Sequence, residues 1–159
     1  MGDSLLTRDP TEIRNFLRLS PNTTTSGRLQ PGDPQRLAAI GIARVINLAL
    51  ENHPEALPNA AQEMAAAGLS YLHLPVPFAE PTEAHFKAFV TALEAAQTPV
   101  HVHCIMNWRV SAFFYRYHRE ACGMPEAEAR AWLERIWSPH TSDKPEAAPW
   151  RAFVERTQD

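Results

Sequence analysis

"VHVHCIMNWRVSAFF", residues 100–114, decides the fold. Val100 to His103 alternates β-branched residues with histidines, which predicts a short buried strand, and a helix is predicted from Val110 to about Glu120. Cys104 then stands at the carboxyl end of a strand, directly before a short loop and a helix N-terminus. Ligands of open α/β sheets collect at that place. Such a loop turns successive backbone N–H groups inward and the following helix adds its positive end, so a tetrahedral oxyanion such as phosphate fits there. A thiol in that field ionises readily, and the thiolate is the nucleophilic form. Arg109 offers a planar, permanently charged fork able to hold two phosphate oxygens. Asn107 falls where a tight loop needs positive φ, which asparagine tolerates better than most residues.

Working outward, the chain alternates helical and strand patterns. A helix is predicted over "PTEIRNFLRL" (10–19), then a turn-rich segment with a short strand around Thr23 to Thr25. Asp33 is expected to cap a helix "PQRLAAIG" ending at Gly41, and "ARVINLAL" follows as a buried strand. "NAAQEMAAAG" is a helix ended by Gly68, and "LSYLHLPV" a strand ended by prolines. Thr82 opens a long helix, "EAHFKAFVTALEAAQ", whose Phe86, Phe89, Val90 and Leu93 form one apolar stripe. After the third strand, "TPVHVHC", and the helix behind Cys104, two more helices are predicted in "PEAEARAWLERIW" and "APWRAFVERT". The alternation predicts an α/β fold of three layers, a mainly parallel sheet flanked by helices on both faces.

The chain has 159 residues, the length of one domain, expected to have its core over about 24–137 and a C-terminal helical extension. Fifteen Lys and Arg against 18 Asp and Glu give a formal net charge of −3, with no run of one sign, which argues against nucleic-acid and membrane partners. The first thirty residues lack the apolar core of a secretory signal, and no apolar span reaches membrane length. A cytoplasmic protein is expected. Cys104 and Cys122, the two cysteines, are too few for a disulfide framework.

"VHCIMNWRVS" resembles the phosphate-binding loop of the cysteine-dependent protein tyrosine and dual-specificity phosphatases, which usually reads His-Cys, five residues, Arg, then Ser or Thr. Here four residues, Ile105 to Trp108, separate Cys104 from Arg109, as in a branch of small bacterial phosphatases. Ser111 still lies seven positions after Cys104, and Val110 fills the usual arginine slot. "SGRLQPGDPQRLAAIGIARVINLAL" and "YLHLPVPFAEPTEAHFKAF" are similar to the same branch, so the resemblance covers roughly residues 24–120.

The resemblance implies a dual-specificity phosphatase-like fold and a phosphomonoesterase, probing most naturally as a protein tyrosine phosphatase, that works through a phosphocysteine without metal or other cofactor. Its substrate would be a phosphorylated protein or a small phosphomonoester. Cys104 would attack phosphorus, Arg109 hold the ester, His103 orient the loop and Ser111 donate to the departing thiolate. Ile105, Met106, Asn107, Trp108 and Val110 would complete the cradle. The family also uses an aspartic acid upstream of the cysteine to protonate the leaving oxygen. Between Leu74 and Cys104 this chain has no aspartate, only Glu80, Glu83 and Glu94, and Glu80 in the "PFAEP" stretch is the expected acid, with Asp143 from the C-terminal turn behind it.

Plainer roles stand beside these. His101 shares a strand face with His103 and reads as a core histidine; Cys122 reads as structural, with a resolving thiol as the alternative. Trp108 can shape the pocket mouth or pack beneath the loop. Two other functions fit the loop: a phosphate-binding module without turnover, and a rhodanese-like sulfurtransferase. Zinc held by His101, His103, Cys104 and Cys122 fits least, because adjacent strand residues point to opposite faces.

Overall fold

The structure, a computed structural model, describes residues 8–156. Five strands, β1 (Leu17–Ser20), β2 (Thr23–Ser26), β3 (Arg44–Asn47), β4 (Ser70–His73) and β5 (Val100–His103), form one sheet in the order β1-β2-β5-β3-β4. β1 runs antiparallel to β2, and the remaining pairings are parallel. The helices are α1 (Asp33–Ala39), α2 (Ala60–Ala66), α3 (Glu83–Ala95), α4 (Trp108–Glu120), α5 (Glu126–Glu134) and α6 (Ala148–Glu155), with a 3-10 turn at Pro145–Ala147.

β5 is the middle strand, and all four of its residues are buried. Period-2 alternation divides it: Val100 and Val102 join Ile46 of β3 in a core with Phe86, Phe89, Val110, Phe113, Trp150 and Phe153. Val45 points the other way, into a second core with Leu37, Met64 and Leu69. Helices α1 and α2 therefore cover one face, and α3 to α6 the other. The result is the three-layer, mainly parallel α/β architecture that the alternation of patterns predicts.

α3 begins where Thr82 places it. Thr82 Oγ1 accepts from the His85 amide at 3.2 Å while His85 Nδ1 accepts from the Thr82 amide at 3.1 Å, a reciprocal cap contributing about 1 kcal/mol. The stripe it carries meets α4 edge to face, Phe89 against Phe113 at 5.3 Å between ring centroids.

The segment 10–19 is not a helix: it is a run of turns leading into β1. Leu17 and Leu19 fit a strand period as well as a helical one, and Asn15, at φ 52°, breaks any helix before it starts. Asp33 is the first residue of α1, not its cap; Gly32 occupies the cap position at φ 92°, and Asp33 Oδ2 accepts from the Gln30 amide at 2.7 Å. α4 starts at Trp108, ahead of the predicted Val110, which brings Arg109 into its first turn. The last helix ends at Glu155; Thr157, the end of its predicted span, lies outside the described residues. Among the described residues no helix is long and apolar enough to cross a membrane.

Candidate active site

Cys104 follows β5 directly, on the same face as Val100 and Val102, and is 1% exposed. From there to Arg109 the chain makes a tight loop whose carbonyls are all engaged from outside. Cys104 O accepts from His103 Nδ1 at 3.2 Å, and Ile105 O from the Arg28 amide at 2.8 Å and from Arg14 Nη1 at 3.3 Å. Met106 O accepts from Asn15 Nδ2 at 2.9 Å, and Trp108 O from Trp137 Nε1 and Ser111 Oγ, each at 3.2 Å. Asn107 O takes the Ser111 amide as α4 starts. Among the described residues the amides of Ile105, Met106, Asn107, Trp108 and Arg109 have no partner. A loop that turns its carbonyls outward and keeps its N–H groups free is a cradle for an anion, and the N-terminus of α4 adds its dipole.

Asn107 makes the turn possible at φ 66°, and its Nδ2 donates to Asn15 O at 2.9 Å and to Thr25 Oγ1 at 3.1 Å. Two residues that the sequence reading did not single out brace the far side. A Cβ on Gly27 would sit 2.5 Å from Ile105 O, so only glycine lets β2 approach the loop this closely. Arg14, held by Glu55 through paired contacts of 3.2 Å, reaches Ile105 O from the turns ahead of β1. A basic residue and an asparagine next to each other in a helical pattern carry no local signal for either role.

Arg109 is buried, 6% exposed, with Nη1 donating to Val76 O at 2.8 Å and its guanidinium 5.6 Å from the Phe78 ring. That bond fixes one end of the fork and leaves the Nε and Nη2 edge free. Arg116 and Arg119, the other arginines of α4, are committed elsewhere. Arg116 is fully buried against Glu83 and Glu120, 2.6 Å from each, and Arg119 lies over Tyr115.

His103 is fixed in one neutral tautomer, since a carbonyl can only accept and Nδ1 must therefore carry the proton. Burial pushes its pKa down to about 4, against the smaller opposing effect of the Cys104 carbonyl. His101 is completely buried, bonded through both ring nitrogens to Thr24 Oγ1 and Ser26 Oγ at 2.8 Å, and burial drives its pKa far down as well. It supports the strand and not the pocket.

An open cleft of about 420 Å³ lies over the loop, lined by Leu50, His53, Phe78, Cys104, Ile105, Met106, Trp108, Arg109 and Glu146. The structure thus brings together Cys104, Arg109, Ile105, Met106 and Trp108. Val110 is fully buried under the loop in the α3–α6 core. Ser111 bonds Trp108 O, with no hydrogen bond to Cys104. Glu80 is exposed, its amide closing a turn on Pro77 O, and it is not among the cleft-lining residues; Asp143 is exposed and outside the lining too. Cys122 is exposed and lines a separate cavity beside Val100 and Thr23, at the opposite end of the strands from Cys104. Among the described residues no group of three or more His, Cys, Asp or Glu is placed to hold a metal ion.

From the C-terminal segment the cleft takes Glu146, and two indoles behind the lining brace the loop. Trp137 stacks on Trp108 at 4.8 Å, and Trp150 Nε1 donates to Phe78 O at 2.7 Å. These indoles tie the loop and the 76–78 stretch to one aromatic cluster with Phe78 at its centre.

The fold recurs in solved phosphatase structures. A Shewanella putrefaciens CN-32 protein described as a candidate phosphatase superposes with a TM-score of 0.76 at 26% identity, over 89% of each chain. TpbA of P. aeruginosa, crystallised with pTyr, gives 0.69 at 20% identity over 90% of this chain and 84% of that one. PTPMT1 in complex with PI(5)P gives 0.63 at 21% over 87% and 94%. The last two share the fold. No curated protein sequence matches the chain. A profile of beta-lactamase hydrolase-like protein, phosphatase-like domain, matches residues 15–115, the segment running from Asn15 through the sheet, Cys104 and Arg109 to Tyr115. The chain belongs to that phosphatase-like family.

Proposed function

We propose that the chain is a cysteine-dependent phosphomonoesterase acting on phosphotyrosine or a similar aryl phosphate through a phosphocysteine intermediate. The observation that carries this reading is the loop of Cys104 to Arg109: its carbonyls are engaged outward, five amides have no partner among the described residues, and the thiol lies at its base. The free amides and the Nε and Nη2 edge of Arg109 would take the non-bridging phosphate oxygens. The Cys104 thiolate would attack in line, forming the S–P bond as the P–O bond breaks. Water then attacks phosphorus, releases inorganic phosphate and regenerates the thiolate. Arg109 holds the charge that spreads over the equatorial oxygens in both steps. His103, neutral and anchored on Cys104 O, positions the loop; Ser111 reaches the departing thiolate by rotating its hydroxyl away from Trp108 O.

The walls support an aryl leaving group. Phe78, Trp108, Met106 and Leu50 give the cleft an apolar side against which a phenyl ring stacks. Two free cysteines fit a reducing compartment, the cytoplasm.

The test is hydrolysis of para-nitrophenyl phosphate and of phosphotyrosine and phosphoserine peptides by the wild type and Cys104→Ser. The wild type is expected to turn over the aryl esters, unaffected by EDTA, and Cys104→Ser to fall to background while staying folded. Full activity of Cys104→Ser would overturn the covalent route. Preference for phosphoserine would overturn the aryl substrate class.

A further inference from the structure

The departing oxygen of a phosphomonoester needs a proton as the P–O bond breaks, and the cleft limits which group can supply it. Among the described residues four titratable side chains line it: Cys104, Arg109, His53 and Glu146. The thiolate is the nucleophile, and a guanidinium does not release a proton in proteins. His53 Nδ1 accepts the Glu55 amide at 3.0 Å, which holds the ring as the Nε2–H tautomer. A second ring proton would have to face the Glu55 N–H, so this bond argues against His53 as the acid. The carboxyl of Glu146 is left.

Its placement is built, not incidental. Glu146 sits in the 3-10 turn Pro145–Ala147, whose Ala147 is 1% exposed and whose amide bonds Lys144 O at 3.0 Å. Arg151 donates to Ser142 O across the same turn, and Trp150 fixes the following helix to Phe78 O. Arg109 is fixed to Val76 O. The turn that bears Glu146 and the cation that grips phosphate are thus both fastened to the stretch 76–78.

We propose that Glu146 is the proton donor to the leaving-group oxygen, an inference that rests on the phosphocysteine reading above. As sulfur bonds to phosphorus, the electron pair of the breaking P–O bond passes to the leaving oxygen, which takes the Glu146 proton. The carboxylate then accepts a proton from the water that attacks the phosphocysteine, and the acid is restored. Glu146 lies beyond the segment 15–115 that carries the family's match, so the acid is supplied by the C-terminal extension of this chain and not by the loop before α3.

The experiment measures kcat/KM of the full chain over a series of aryl phosphates, from the good leaving group para-nitrophenolate to the poor one phenolate, for wild type, Glu146→Gln, Glu80→Gln and Cys104→Ser. Glu146 is exposed, so its variant is expected to keep the wild-type melting temperature. Glu146→Gln is expected to lose roughly 10²- to 10⁴-fold on phenyl phosphate and far less on para-nitrophenyl phosphate. An equal loss on all substrates, no loss, or the graded loss appearing in Glu80→Gln instead would overturn the assignment. Cys104→Ser separates the two levels: its inactivity upholds the phosphocysteine reading whichever carboxylate proves to be the acid, and its full activity removes that reading itself.

Discussion

Arg109→Lys keeps the charge and changes the geometry, which makes it a sharp probe of the clamp. In the structure one amine of the guanidinium is spent on Val76 O at 2.8 Å, and the opposite edge is free for two phosphate oxygens. A lysine ammonium is one point on a flexible stem. It can satisfy Val76 O or the phosphate, but not present the paired donors to both. Losing one charge-assisted hydrogen bond in the transition state costs about 1.5–3 kcal/mol. That corresponds to roughly 10- to 150-fold in kcat/KM. The buried Val76 carbonyl left without a donor lowers stability by about 1–3 kcal/mol as well. The assay is steady-state hydrolysis of para-nitrophenyl phosphate with folding checked by urea denaturation, alongside competitive inhibition by vanadate. Wild-type kcat/KM and unchanged vanadate affinity in Arg109→Lys would refute the clamp.

The same helix supplies a contrast: Arg116→Ala removes a fully buried cation from Glu83 and Glu120 and from the Phe86 and Phe153 rings, 4.3 and 4.8 Å away. It should lower stability by roughly 3 kcal/mol while the folded enzyme keeps its kcat, and a loss of kcat without a loss of stability would reverse the roles of the two arginines. A second expectation concerns acid. Burial depresses the pKa of both His101 and His103, the latter to about 4, so the unfolded chain binds more protons as pH falls below the usual histidine value. Stability is then complete above a pH of about 6.5; for His103 it declines toward about 4, by roughly 2 kcal/mol between pH 7 and pH 5, and His101 adds to the loss in the same direction. Equal denaturation midpoints at those two pH values would contradict the buried, neutral state.

What the sequence makes legible is what lies close together in it. The strand, loop and helix around Cys104 are contiguous, so period, spacing and the need for positive φ at Asn107 can be read from ten residues. β1 reads as helix in the sequence because Leu17 and Leu19 satisfy both periods, and its pairing with Thr23–Thr25 decides between them only in three dimensions. The supports of the loop come from far away in the chain. Arg14 and Asn15 lie 91 residues from the carbonyls they hold, and Trp150 lies 72 from Phe78. Gly27 gives no turn signal because its role is room for Ile105 O. The sequence offers carboxylates on both sides of Cys104, Glu80 before it and Asp143 after it, but which residue of the C-terminal turn reaches the cleft is set by tertiary packing of Trp137 and Trp150, which no local pattern shows.

The central claim is that phosphorus passes through a covalent bond to Cys104 sulfur. The most direct measurement is rapid acid quenching of the wild type during turnover of an aryl phosphate, followed by mass spectrometry of the peptide containing Cys104. A phosphoryl group on Cys104, formed at least as fast as inorganic phosphate appears and absent from Cys104→Ser, is the predicted result. Steady turnover with no phosphorylated Cys104 at any quench time, or a phosphoryl group found on another residue at the rate of turnover, would contradict it.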